Sequence, residues 1–183
     1  QWFSENHIQE EIPILDILWV VDDSGSMNRF QTNLSNNIGL FIQAFVATGA
    51  DYHMAVITTS HSTIGRIISN ATPNPETTIA NEVLVGIRGS GNELGLAKSV
   101  EALSTPLSAG PGGAFFREDA SLVVIYVSDE PDRGAYWGNH ISFFDNIKAV
   151  GKFTPYAVIG EPPNGCQIDS WMRAEYGSGY WDI

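Results

Sequence analysis

Ile14-Leu-Asp-Ile-Leu-Trp-Val-Val21 runs directly into Asp22-Asp-Ser-Gly-Ser-Met27, and an amphipathic segment follows. The first part, nearly all apolar and β-prone, reads as a strand covered on both faces, as inside a parallel sheet. Leu122 to Val127 repeats the signature, and Tyr52 to Thr58 and Tyr156 to Ile159 carry it more weakly. Between these runs the period becomes helical. Phe30, Leu34, Ile38, Phe41 and Phe45 make one apolar stripe ending near Gly49. Leu96, Val100 and Leu103 make a second before Pro106, and Ile141, Phe144 and Ile147 or Lys148 a third before Gly151. Buried strands alternating with amphipathic helices predict an α/β fold: a doubly wound, mostly parallel central sheet with helices on both faces. Thr63 to Ser69 is short and β-branched, and is expected to pair with Tyr52 to Thr58 as an antiparallel edge hairpin.

The 183 residues include 43% hydrophobic types, enough for an ordinary core in one domain. Nine basic residues against 21 acidic ones leave a net charge of −12. Such a surface repels nucleic acid and anionic lipid, whose recognition needs Lys and Arg, and attracts cations. The single cysteine, Cys166, excludes an internal disulfide framework and a multi-cysteine zinc site. It is either a small buried hydrophobe or the partner of a cysteine elsewhere. No run approaches the ~18 apolar residues of a membrane span. The chain starts at Gln1, without the signature of a signal peptide, and Gly177 to Ile183 reads as the start of a further strand. Residues 1–183 are therefore expected to be a single domain, cut from a longer protein before its last covering helix. Ala109 to Ala114 reads as a flexible connection inside it.

In a parallel α/β sheet, ligands collect at the loops leaving the carboxyl ends of the strands. Asp22, Ser24 and Ser26 alternate in such a loop, and a turn at Gly25 would bring a carboxylate and two hydroxyls to one point, a donor set suited to Mg²⁺. The run Leu122 to Val127 ends in Ser128-Asp129-Glu130, so Asp129 leaves the sheet at the same edge. Helix capping is the ordinary use of Asp and Ser here, but it does not explain the alternation together with Asp129.

The string Asp22-x-Ser24-x-Ser26 after a buried strand, with Ser128-Asp129 downstream, resembles the von Willebrand factor A domain and its metal-ion-dependent adhesion site. The resemblance covers nearly the whole chain in element order. It implies a doubly wound sheet with one antiparallel edge strand and a Mg²⁺, Mn²⁺ or Ca²⁺ at its top. It also implies protein-binding or adhesion as the activity, with a partner's carboxylate completing the metal's coordination. The implied ligands are Asp22, Ser24, Ser26 and Asp129. The family also expects a Thr in a second loop; this sequence has Asn92 there, followed by Glu93, with Ser90 a third candidate.

Asp22 and Asp129 alone would balance a dication; adding Glu93 makes the shell −1. If Glu93 points inward, tighter cation binding, a lean towards Ca²⁺ and less need of an acidic ligand are expected. If it sits on the first turn of the next helix, it complements the helix dipole instead. The sequence is compatible with both placements.

Glu130, Asp132, Trp137 and His61 are candidates for the rim of the site, with Tyr136 and His140 beside them; a solvated acidic rim and a packed aromatic lid are the plainer readings. Glu118 and Asp119 are expected at the opposite end of the sheet. Asn33-Leu-Ser35 and Asn70-Ala-Thr72 match the glycosylation pattern. An enzyme is the rival class, because Mg²⁺-dependent phosphohydrolases also place acids on strand ends. They need a second acid two residues after the first, where this chain has Ser24, and a positioned Lys. No nucleophile elbow, phosphate loop or zinc helix occurs. The expected function is thus a non-enzymatic, metal-dependent binding module, with a structural domain whose metal only locks loops as the alternative. A secreted, periplasmic or surface setting is expected.

Overall fold

The computed structural model describes residues 12–104, 114–134 and 137–159. Five strands form one sheet: β1 (Ile14–Val21), β2 (Asp51–Thr58), β3 (Ile68–Ser69), β4 (Ser121–Val127) and β5 (Phe153–Val158), in the order β3-β2-β1-β4-β5. β1 is parallel to both β2 and β4, β4 is parallel to β5, and among the described strands β3 alone is antiparallel, pairing His53 with Ser69. This is the expected doubly wound, mostly parallel sheet with one antiparallel edge. The last six residues of β1 are all buried, because β1 lies at the centre.

The period of two along each strand divides the core. Leu18, Val20, Ala55, Ile57, Leu122 and Val124 face α3 (Gly95–Ser104) and α4 (Trp137–Ile147), which contribute Leu96, Leu103 and Phe144. Ile17, Trp19, Val21, Met54, Ile125 and Val127 face α1 (Asn28–Val46) and α2 (Pro75–Glu82), which contribute Ile38, Ile42 and Ile79, with Val83 just past the end of α2. Helices therefore cover both faces. The chain winds outward from β1 in both directions, so the crevice between β1 and β4 is the topological switch point where ligands bind in such sheets.

Some expected boundaries shift. α1 stops at Val46, with Gly49 in the left-handed region at φ 74°, and its buried seam uses Ile42 where Phe41 was expected; Phe41 is 48% exposed. Only Ile68–Ser69 of the expected 63–69 strand pairs, although Ile64 still packs into the core from a loop. β5 begins three residues before the expected Tyr156, with Pro155 inside it. Proline is tolerated there because β5 has a described neighbour on one side only. α2 was not anticipated: it opens with Pro75 after Asn74 at φ 48° and is too short for a periodic signal. The expectations for Ala109 to Gly113, Tyr136, Cys166 and Gly177 to Ile183, and for the domain's end, lie outside the described residues.

At the foot of β1, Asp16 is fully buried amid apolar neighbours. Arg117, just before β4, donates to it from its backbone N–H at 2.6 Å and from Nε at 2.8 Å, and reaches Asp51 through Nη1 at 2.8 Å. Lys148, at the end of α4, approaches Asp16 to 4.0 Å, donates to the carbonyls of Arg117 and Ala120, and lies over the Phe116 ring. Buried charges persist when they are paired and hydrogen-bonded in this way. Glu118 and Asp119 lie in an exposed turn at this end, as expected.

Candidate metal centre

At the opposite end of the sheet, β1 and β4 release their chains side by side: the Asp22 N–H still bonds to Val127 O at 2.9 Å. Asp22 Oδ1 accepts the Ser24 N–H at 2.7 Å, which turns the chain at once into a 3-10 turn, Gly25–Met27, and then α1. Neither the turn nor α1 receives a side-chain cap hydrogen bond, so Asp22 and Ser24 do not act as helix caps. The Ser24 and Ser26 hydroxyls meet at 3.1 Å, and Ser26 Oγ donates to Asp129 Oδ1 at 3.1 Å. Ser128 Oγ donates to Asp22 Oδ2 at 2.6 Å. The four oxygen-bearing residues Asp22, Ser24, Ser26 and Asp129 thus form one connected group, three of them buried.

Glu93 comes from the loop before α3, near enough to Asp22 to feel its charge. It is fully buried, and among the described residues neither carboxylate oxygen has a hydrogen-bond partner; Asp129 Oδ2 is in the same condition. Asp132 reaches across to cap α3, accepting the Leu96 N–H at 2.9 Å, while Arg133 N–H donates to Glu93 O at 2.8 Å. Asp132 thus supplies a cap to α3, and Glu93 is buried beside it rather than exposed on the first turn.

Burial pushes the Asp22 carboxyl up, against the hydrogen bonds from Ser128 and Ser24. Asp129 rises to about 6, mainly by burial and then by the charges of Asp22 and Glu130, with the Ser26 hydroxyl opposing. Glu93 rises to about 8, again by burial first and by Asp22 and Glu130 next, relieved a little by its own amide and by Arg133. Buried carboxylate oxygens without a donor could hold a hard dication. Among the described residues no three His, Cys, Asp or Glu side chains converge tightly enough to form a cage by themselves. A cation here would use the serine hydroxyls and water as well, as Mg²⁺ and Ca²⁺ do.

A set of residues that the sequence reading passed over fixes these loops. Asp23, on the other side of the chain from Asp22, accepts from Ser60 Oγ at 2.8 Å and Thr59 Oγ1 at 3.2 Å through Oδ1. Its carbonyl accepts the Gly89 N–H at 2.8 Å, and Ser60 Oγ in turn accepts the Ser90 N–H. Gln31 of α1 bridges the carbonyls of Asp22 and Gly86, both at 2.8 Å. The doubled acid at 22–23 was the available signal, since consecutive residues leaving a strand point to opposite sides.

The remaining candidates lie further out. Asn92 is exposed, and its N–H bonds to Ser90 Oγ. Glu130 is partly buried with Arg133 Nη2 at 3.7 Å. Asp132 spends both oxygens on backbone amides, those of Leu96 and Gly134. His61 is exposed beside a cavity of about 420 Å³ lined in part by Asp23, Arg88 and Gly89. His140 is buried, and the side chain of Trp137 lies outside the described residues.

No protein-family model and no curated protein matches the chain. Among solved structures, the pilus adhesin SpaC from Lactobacillus rhamnosus GG, in its open conformation, matches at 18% identity and TM-score 0.45 over 68% of this chain and 15% of that one. Proximal thread matrix protein 1 from the mussel byssus, with a zinc-occupied MIDAS motif, matches at 14% identity and TM-score 0.49, over 82% and 39%. A second crystal form of the matrix protein gives 15% identity and TM-score 0.46, over 80% and 38%. This chain spans well under half the length of each.

Proposed function

We propose that this domain is a divalent-cation-dependent protein-binding module of the von Willebrand factor A type. Asp22, Ser24, Ser26 and Asp129 hold Mg²⁺, Ca²⁺ or Mn²⁺ at the top of the sheet. The observation that carries the reading is the linked group Ser24–Ser26–Asp129 at the switch point, with Asp129 Oδ2 buried and without a donor. An all-oxygen donor set suits these hard cations better than zinc, which accepts carboxylate oxygen but favours nitrogen and sulfur. When bound, the cation supplies a Lewis-acidic position to which an oxygen of a partner protein can bind. The chain's own residues orient the oxygens and exclude water from beneath them. The domain acts by binding and not by catalysis; in support, Ser24 stands where a phosphohydrolase would need its second acid. No helix among the described residues is long and apolar enough to cross a membrane, and we place the module at a cell surface or in a secreted assembly.

Calorimetry with Mg²⁺, Ca²⁺ and Mn²⁺ on wild type and Asp22→Ala tests the metal. Retention of surface proteins on the immobilised domain, with and without EDTA, tests the binding role. Cation affinity surviving in Asp22→Ala refutes the site, and partners retained equally in EDTA refute the metal-dependent role.

A further inference from the structure

Glu93 sets this site apart from one built of two aspartates and two serines. The loop that carries it is fastened at both ends: Gly89 N–H to Asp23 O, and Glu93 O to Arg133 N–H. The side chain is fully buried, and no described group donates a hydrogen bond to either oxygen. Capping of α3, the structural use of an acid at this point, is performed by Asp132. A carboxylate so placed, beside Asp22 and with both oxygens unspent, is costly to bury without a cation or the water bound to one.

We propose that Glu93 gives the cation a third carboxylate from within the chain, through metal-bound water, and so takes the part that an acidic side chain of a partner would otherwise play. The proposal rests on the metal-binding reading above. Three carboxylates around a dication leave a net charge of −1, so the loaded site does not attract a further anion. The surface that docks over it is neutral or basic, offering the metal a carbonyl, a hydroxyl or water. The net charge of −12 works in the same direction, repelling acidic partners at longer range.

The test is calorimetric titration of wild type, Glu93→Gln and Asp22→Ala with Mg²⁺ and with Ca²⁺ alone, alongside melting in EDTA. Glu93→Gln keeps the shape and removes the charge. It is expected to weaken both cations at least tenfold while melting in EDTA no lower than wild type, because an uncompensated buried acid has gone. Wild-type affinity for both cations in Glu93→Gln overturns the inference and leaves the metal site standing. Absence of cation binding in wild type overturns both. In a second arm, saturating acetate is added during the titration. Tighter cation binding with acetate in Glu93→Gln but not in wild type is expected, and an equal response of the two overturns the stated partner chemistry.

Discussion

Gly89→Ala is the sharpest probe of how the loops around the centre are held. A Cβ at position 89 would lie 2.2 Å from Asp23 Cγ and Oδ1, against an ordinary contact of 3.4 Å or more. One of the two must move by more than an ångström. The Gly89 backbone is pinned by its N–H to Asp23 O, so the carboxylate is displaced and its bonds from Ser60 and Thr59 break. Hydrogen bonds to a charged acceptor contribute ~1.5–3 kcal/mol each. Allowing for partial rehydration at the rim, Gly89→Ala should destabilise the domain by about 2–4 kcal/mol. Urea unfolding followed by tryptophan fluorescence measures this. Gly91→Ala is the control, since nothing lies within 4 Å of its Cβ, and should stay within ~0.5 kcal/mol of wild type. Cation affinity should fall about tenfold in Gly89→Ala only, because the displaced carboxylate belongs to the residue next to Asp22 and its loss frees the Ser60 loop that holds Ser90. Equal stability and equal cation affinity for the two variants would refute the argument that Asp23 organises the site.

Two further outcomes follow from buried charge. Asp16→Asn leaves Lys148 and Arg117 without their shared anion and should cost about 3–5 kcal/mol in urea unfolding. Cation affinity should not change, because the proposed metal centre lies at the far end of the strand; a loss below ~1 kcal/mol contradicts the assigned role. The raised carboxyls set the pH response: with its pKa about 8 in the folded chain against 4.5 ordinarily, Glu93 lends stability that is complete at acid pH and is lost as pH rises through 8. Asp129, at about 6, acts in the same sense over a lower range. The melting temperature in EDTA should therefore fall from about pH 5 to about pH 9, and the rise on adding cation should grow over the same interval. Near pH 7, binding should release about one proton per cation, read by calorimetry in buffers of different ionisation enthalpy; no release contradicts an ionised Glu93 beside the metal.

The parts of the fold that sequence foretold are those written in period. Ile14 to Val21 and Leu122 to Val127 bury both faces and read as such, and Leu96, Val100 and Leu103 announce α3. β5 was blurred because Pro155 interrupts it and alternate residues face solvent, while Ile64 keeps its burial without a strand. At the site, alternation named Asp22, Ser24 and Ser26, and the matching strand end named Asp129. What alternation does not carry is which way an acid turns in an irregular loop. Asn92, aligned with the expected Thr, faces solvent; Glu93 is buried; and Asp132, expected at the rim, spends its carboxylate on α3. Those outcomes depend on backbone contacts between loops some forty residues apart, such as Arg133 with Glu93, and no local pattern records them.

The central strand carries an acid at each end on the same side of the sheet, Asp16 at the foot and Asp22 just beyond the top, roughly 20 Å apart at ~3.3 Å per residue. The foot is electrically complete: Arg117 and Lys148 travel with the chain, and Asp16 needs nothing from its surroundings. On the proposed reading, the top depends on a solute. One strand would then divide two dependencies, its foot held by the chain's own charges and its top set by the ionic make-up of the medium. Such a module would fold first and be armed by the cations it meets.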